Sequence, residues 1–140
     1  MKIGIVGSEA SKFTPATKVE AEKAILSVLS PGDTVISGGC HLGGIDIWAA
    51  EIGSQLGLEV IEFKPASLSW SGGYKERNLQ IAQACDLLVC ITVQTLPTNY
   101  TGMRFKLCYH CKTDTHIKSG GCWTMKQAAK LGKGTQLIVV

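Results

Sequence analysis

Short, continuous apolar runs alternate along this chain with longer stretches of helical periodicity, and this alternation is what most restricts its fold. The apolar runs predict strands, and the longer stretches, with apolar residues along one stripe, predict helices. The predicted strands are 2–6, 34–37, 59–63, 86–93 and 135–140. The predicted helices are 16–29, 45–56, 74–84 and 123–131. This order implies right-handed crossovers and a mostly parallel sheet.

We therefore predict an α/β fold, a Rossmann-like three-layer sandwich in which helices cover both faces of the sheet. A length of 140 residues suits a single domain over residues 1–140 with a substantial core. A hydrophobic fraction of 45% with 18% charged residues excludes the disordered class. Regularity fails between about residues 94 and 120, which predicts an irregular insertion rich in cysteine and histidine.

Charge and hydropathy restrict the partners. The net charge is only +3, and the basic residues are scattered rather than gathered in a stripe, so nucleic acid is possible but not favoured as a partner. No apolar run approaches the roughly 20 residues that span a bilayer, and the first run is too short for a signal peptide. We expect a cytoplasmic protein, whose six cysteines are thiols or metal ligands rather than disulfides.

Three glycine-rich turns are expected at the carboxyl edge of the sheet, where ligands bind in open parallel sheets. Residues 7–9 follow the first strand, residues 37–39 follow the second, and residues 119–121 precede the last helix. Glycine lets the backbone approach a phosphate, and a helix N-terminus offers unpaired N–H groups to it. Loops of α/β proteins need glycine for structural reasons as well, but three such turns on one edge favour a binding site.

Asp46 follows Gly43 and Gly44 at the start of a predicted helix. A carboxylate there can act as an N-terminal cap or a favourable first-turn charge. It can equally accept hydrogen bonds from a ribose hydroxyl. The sequence leaves both interpretations open.

In order and spacing, these segments resemble the SLOG superfamily, a Rossmann-like group. It includes Lonely Guy phosphoribohydrolases, DNA-processing Smf proteins and nucleotide-sensing defence domains. The resemblance runs through nearly the whole chain, in the segments 2–8, 37–39, 44–49, 74–78, 84–89, 119–124 and 132–133. It implies a nucleoside monophosphate or an NAD derivative as the ligand. It also implies a possible homodimer, because members commonly pair through helices beside the site.

The hydrolase members of this superfamily carry an arginine and a Pro-Gly-Gly-x-Gly-Thr-x-x-Glu turn, to which this chain corresponds only in part. Arg77 and Thr124 match, but Trp123 stands at a glycine position and Gln127 at the position of the catalytic glutamate. An amide cannot act as a general base, which argues against N-glycosidic hydrolysis. Arg77 is either a solvated surface group or a bidentate clamp on a phosphate, and the resemblance favours the clamp.

The residues that we predict to bind the ligand come from the glycine turns, the Asp46 segment and the resemblance. They are Gly7, Ser8, Glu9, Ser37, Gly38, Gly39, Gly44, Asp46, Arg77, Asn78, Gly120, Gly121 and Thr124.

The insertion carries Cys108, Cys111, His116 and Cys122 in the spacing Cys-x2-Cys-x4-His-x5-Cys. Two thiolates two residues apart can hold one metal ion from a single turn, and a later histidine and cysteine can complete a tetrahedron. The spacing lies one residue from that of a zinc knuckle, so we predict a structural zinc ion. Idle thiols, or a redox Cys-x-x-Cys pair, are the alternatives.

Two further pairs of residues bear on these sites. Cys40 and His41 lie at another glycine turn, where they can join either the metal shell or the ligand site. Cys85 and Cys90 lie in apolar surroundings, which predicts small core residues.

The function that we expect is binding of a nucleotide or nucleotide derivative, with a structural zinc site. Whether a reaction is catalysed stays open, because a nucleotide-cleaving hydrolase can be built from Arg77 and either Asp46 or Glu9. The third hypothesis is a nucleic-acid-associated protein, with basic and aromatic residues of the insertion forming its surface. Those residues are Tyr100, Arg104, Phe105, Lys106, Tyr109 and Lys112.

Overall fold

Strands and α-helices alternate through residues 1–140 in the computed structural model. The strands are β1 (Lys2–Gly7), β2 (Thr34–Ser37), β3 (Glu59–Glu62), β4 (Leu87–Thr92) and β5 (Gly134–Val139). The α-helices are α1 (Pro15–Val28), α2 (Ile45–Gln55), α3 (Lys75–Ala84) and α4 (Gly120–Lys130). A 3-10 helix at Ala10–Lys12 and a π-helix at Trp70–Tyr74 lie in loops. The predicted α/β fold is confirmed.

All five strands are parallel, in the order β3-β2-β1-β4-β5. Ile3 of β1 pairs with Val35 of β2 on one side and with Leu87 of β4 on the other. The chain therefore builds outward from β1 to β3 and then returns to β4, so the strand order reverses between β1 and β4. Ligands of open α/β sheets bind at the carboxyl end of such a reversal point.

The sheet is covered on both faces, as the continuous apolar strands predict. In β4, Val89 and Ile91 face one core with α1 and α2, while Leu88 and Cys90 face the other with α3 and α4; all four side chains are fully buried. Successive strand residues point to opposite faces, so a strand buried on both sides must be apolar throughout. This is the three-layer sandwich of the prediction.

Some predicted boundaries are wrong. Helix α4 begins at Gly120 rather than residue 123, because the Ser119 hydroxyl accepts a hydrogen bond from Gly121 N (3.1 Å) and caps a helix that opens with two glycines. The predicted loop 65–73 contains the start of the π-helix, so α3 begins at Lys75 rather than residue 74. The other ends of strands and helices differ from prediction by no more than one residue.

Between β4 and α4 the chain forms neither helices nor strands. One isolated antiparallel bridge joins Cys108 to Thr113 there. The predicted irregular insertion is thus confirmed, except that Gly120 belongs to α4. No helix anywhere in the chain is long and apolar enough to cross a bilayer.

Candidate functional site

A cavity of about 360 Å³ opens at the carboxyl edge of the sheet, where the strand order reverses between β1 and β4. The loop after β1 and the first turn of α4 form two of its walls, and α3 forms a third. Nine of the predicted ligand-binding residues line it. They are Gly7, Ser8, Glu9, Asp46, Arg77, Asn78, Gly120, Gly121 and Thr124.

Four predicted residues lie behind this lining rather than in it. Ser37 donates its hydroxyl to the Asp46 carbonyl oxygen (2.7 Å), and Gly38 accepts a hydrogen bond from Arg77 Nη1. Gly39 lies next to Glu62. The turn after β2 therefore supports Asp46 and Arg77, two of the charged residues that line the cavity.

Gly44, the fourth of these residues, joins α2 to the loop after β1. It is the N-cap of α2 with φ +85°, and a β-carbon there would collide with the Ser8 carbonyl oxygen. Ile45 N donates to that same oxygen (3.2 Å). Only glycine combines this conformation with so close an approach, so Gly44 holds the cavity wall in place.

The Ser8 side chain is the least satisfied polar group of the cavity. It is 2% exposed, and its hydroxyl has no hydrogen-bond partner in the protein. Buried hydroxyls are nearly always hydrogen-bonded, because leaving one unpaired costs about 1–3 kcal/mol. Next to it stands the N-terminus of α4, a favourable place for an anion.

Two lysines that the sequence analysis did not select also line the cavity. Lys12 comes from the 3-10 helix after β1, and its Nζ donates to the Lys118 carbonyl oxygen (2.9 Å). Burial lowers the pKa of Lys12, while Glu9 opposes that shift. An anion in the cavity would offset the cost of burying this ammonium group.

Arg77 is buried, with 6% of its surface exposed, so its interpretation as a solvated surface group is wrong. Its Nε donates to Asn78 Oδ1 (2.8 Å), and its Nη1 donates to Gly38. The Tyr74 ring lies 5.2 Å from the guanidinium carbon. An arginine has five N–H donors, and these bonds use two of them.

Asp46 lies in the first turn of α2, 9% exposed, and its side chain does not cap that helix, since Gly44 is the N-cap. Burial raises the pKa of Asp46 to about 6, although the charge of Arg77 works in the opposite direction. A carboxyl group with this pKa exchanges its proton near neutral pH.

Aromatic and apolar side chains also line the cavity. They are Trp70 and Tyr74 of the π-helix, Ile81 of α3, and Leu42 from the loop after β2. Trp70 packs edge-to-face on Trp123, with ring centroids 4.7 Å apart. Trp123 thus supports a cavity wall, a role that no local pattern in the sequence indicates.

The insertion and the first turn of α4 together form the second site. The ligand atoms of Cys108, Cys111, His116 and Cys122 all lie within 4.8 Å of one another. Ligands of a tetrahedral zinc ion are roughly 3.8 Å apart, given Zn–S bonds of about 2.3 Å. The four residues can therefore hold one metal ion.

The surroundings of this cluster suit a cation. His116 Nε2 lies 3.6 Å from Cys122 Sγ, while its Nδ1 contacts Thr115 Oγ1 (3.1 Å). A bond from Nδ1–H to the hydroxyl leaves Nε2 free to bind a metal. Burial and the neighbouring thiols raise the pKa of Cys111 to about 12, so a bound cation is needed to keep this sulfur ionised.

The remaining cysteines are divided between the cavity and the core. Cys40 lines the cavity, and His41 Nδ1 contacts the Tyr74 hydroxyl (3.2 Å), so neither belongs to the metal cluster. Cys85 and Cys90 are fully buried, as predicted. The sequence did not indicate that Cys90 Sγ lies 4.0 Å from Cys122 Sγ, directly behind the cluster.

The aromatic residues considered for nucleic-acid stacking each carry a cation of this chain over the ring. Lys118 Nζ lies 5.2 Å from the ring centroids of both Phe105 and Tyr109. Arg104 lies over Tyr100 at 5.7 Å. These rings belong to internal cation–π contacts.

Comparisons with known protein families, with curated proteins and with solved structures found no match to this chain.

Proposed function

We propose that this chain binds a nucleotide or nucleotide derivative, with its phosphate group beside Ser8 and the N-terminus of α4. The observation that carries the proposal is the Ser8 hydroxyl, which is buried in the cavity without a partner. A phosphate oxygen would accept its hydrogen bond and remove the cost of leaving it unpaired. Lys12, Lys118 and Arg77 supply positive charge around the same cavity.

The rest of the cavity suits a nucleoside. Trp70 offers an aromatic face for a base. Asp46 and Asn78 offer groups that hydrogen-bond to ribose hydroxyls. A volume of about 360 Å³ lies at the small end of ligand pockets, which favours a ligand of mononucleotide size over an NAD-type ligand.

The two buried hydroxyls without partners provide a matched pair of variants. Ser8→Ala removes the one in the cavity, while Thr92→Val removes the one that lies outside the cavity lining. Neither deletion breaks a hydrogen bond within the protein. We expect Ser8→Ala to weaken binding of a 5′-nucleoside monophosphate about tenfold, and Thr92→Val to leave it unchanged.

Isothermal titration with the four common nucleoside monophosphates, and with the nucleosides that lack the phosphate, is the direct test. Binding of at least one monophosphate, with its nucleoside much weaker, is the expected result. If none of the four monophosphates binds, or if Ser8→Ala and Thr92→Val behave alike, the proposal is wrong.

For the cluster we propose a structural zinc ion, because three sulfurs and one imidazole within 4.8 Å of one another are the donor set of a typical closed zinc site. Metal analysis of protein purified without chelators should find about one zinc per chain. The double variant Cys108→Ser with Cys111→Ser should remove it, whereas Cys85→Ala, a buried cysteine outside the cluster, should keep it. Wild-type protein that contains no zinc would exclude this metal.

Asp46 favours a second candidate function, nucleotide cleavage. A buried carboxyl group in the ligand cavity with a pKa of about 6 is suited to acid–base chemistry. Gln127, which replaces the glutamate expected from the resemblance, does not line the cavity. Mass spectrometry of a bound nucleotide after long incubation would show a released base or sugar if the chain is an enzyme, and Asp46→Asn should then abolish its release.

A further inference from the structure

The ligand cavity and the metal cluster share one segment of chain. His116 and Cys122 belong to the cluster, and between them residues 118–121 line the cavity. We call residues 117–121 the bridging segment. A metal ion that binds both His116 and Cys122 closes this segment into a short loop with one side toward the cavity.

Hydrogen bonds connect the metal side of this loop to its cavity side. Cys122 N donates to the Ser119 carbonyl oxygen (3.0 Å), and Gly121 N donates to the Ser119 hydroxyl (3.1 Å). Ser119 is itself buried and is the N-cap of α4. Cys122 lies in the first turn of α4, so its Sγ in the cluster helps to position the N–H groups of that turn, together with the packing of α4 against β1 and β4.

Other contacts also hold the bridging segment in place. Ile117 N donates to the Val93 carbonyl oxygen (2.8 Å), and the Lys118 carbonyl oxygen accepts from Lys12 Nζ, the end of a long side chain. Gly121 lies against β1, where a β-carbon would come 2.9 Å from Gly7 N. These contacts guide the segment, but they leave Ser119 and Gly120 without a direct hydrogen bond to the sheet.

We propose that metal occupancy of the cluster controls the affinity of the cavity for phosphate. This inference rests on the proposed function, since it requires that the cavity binds a phosphate. With the metal bound, the bridging segment is ordered before the ligand arrives; without it, phosphate binding must also order the segment, which costs affinity. By linkage, a bound phosphate raises the affinity of the cluster for the metal by the same factor.

Titration of inorganic phosphate and of 5′-AMP into zinc-loaded protein, chelated protein and chelated protein resupplied with zinc tests the proposal. We expect both probes to bind about tenfold or more weakly to the chelated protein, and zinc to restore the affinity. Equal affinity with and without zinc would overturn the inference while leaving the proposed function intact. If neither the zinc-loaded nor the chelated protein binds inorganic phosphate, 5′-AMP or any other of the four common nucleoside monophosphates, the proposed function fails and the inference with it.

Cys111→Ser should remove the metal without altering the bridging segment itself, because Cys111 lies outside that segment and is only half-buried. It should lose zinc and show the weak phosphate affinity of the chelated wild type. Cys85→Ala, the matched cysteine control, should keep both zinc and affinity. A Cys111→Ser protein that lacks zinc and binds phosphate like the wild type contradicts the proposal; if this variant does not fold, the chelation series decides.

The reciprocal measurement uses zinc as the probe. Competition with a chelator should show zinc held more tightly in the presence of phosphate, by the factor found above. Ser8→Ala should leave zinc affinity in the absence of phosphate unchanged and reduce the effect of phosphate on it. Zinc affinity that does not respond to saturating phosphate in the wild type would overturn the coupling.

Discussion

The sheet and the insertion differ in how much apolar surface they bury. The strands bury apolar side chains on both faces, and their backbone groups pair in ladders from β3 to β5. Of the insertion residues 94–119, only Pro97, Cys108, His116 and Ser119 are buried, and two of these belong to the metal cluster. The sheet is stabilised by removing carbon from water, whereas the insertion contributes three of the four residues of a cluster that can hold a cation.

Each region must offset the entropy that is lost when its backbone is ordered. Ordering one residue costs about 1–2 kcal/mol of backbone entropy, which apolar burial offsets in the strands. The insertion has too few buried apolar groups for that. A structural zinc ion, whose binding contributes about 10 kcal/mol or more, can supply the difference.

The largest effect we expect is the response of the two regions to metal loss. In Cys108→Ser with Cys111→Ser, the amides of Lys112 and Ile117, both hydrogen-bonded in the insertion, should lose most of their protection from hydrogen exchange. The amides of β1 and β4 should remain protected. Exchange measured by mass spectrometry checks this, and a uniform loss across the chain would show that the two regions are one cooperative unit.

The converse change is a cavity in the sheet core. Ile5→Ala, at a fully buried position of β1, should lower the free energy of unfolding by about 2–5 kcal/mol in zinc-loaded protein. Its zinc content should remain that of the wild type, because Ile5 packs in the core of α1 and α2. Urea unfolding and metal analysis measure the two quantities; loss of zinc would mean that the regions depend on each other more than proposed.

Asp46, in the cavity between the two regions, makes the free energy of unfolding depend on pH. Burial raises its folded pKa from 3.8 to about 6, so the folded chain holds this proton more tightly than the unfolded chain does. The resulting stabilisation is fully present below pH 3.8 and is lost as the pH rises through about 6. Asn does not titrate, so Asp46→Asn should gain about 1–2 kcal/mol over the wild type between pH 5 and pH 8.

Urea unfolding of both proteins across that pH range gives the difference directly, and effects of pH on the metal ligands cancel in it. A difference that stays flat, or that falls as the pH rises, would show that Asp46 is ionised at low cost in the folded state.

The smallest expected effect compares two helix caps. Thr14 caps α1 in the sheet region by accepting a hydrogen bond from Thr17 N (3.1 Å), and Ser119 caps α4 at the end of the insertion. Each change to Ala should cost about 1 kcal/mol in urea unfolding. Ser119→Ala should also weaken phosphate binding in titration, since Ser119 lines the cavity. Equal phosphate affinity in the two variants would show that Ser119 does not contribute to binding.

The framework of the fold could be predicted from the sequence because its signals are local. The apolar runs 34–37 and 86–93 specify strands buried on both faces, and strands separated by helices pair in parallel. Boundaries were less certain where capping competes with propensity, as at Gly120 and at the π-helix. The cysteine spacing of the insertion was also a local signal, since Cys108 and Cys111 can approach one ion from a single turn.

The sequence by itself determined the alternation of strands and helices, the glycine turns and the four metal-cluster residues. Only the tertiary structure decided that Lys12, Trp70 and Lys118 face one cavity, that Arg77 is buried, and that the metal cluster adjoins the cavity wall. The physical reason is distance along the chain. Periodicity and spacing report neighbours within a few turns, whereas the cavity is assembled by crossovers that bring the loop after β1 against the first turn of α4.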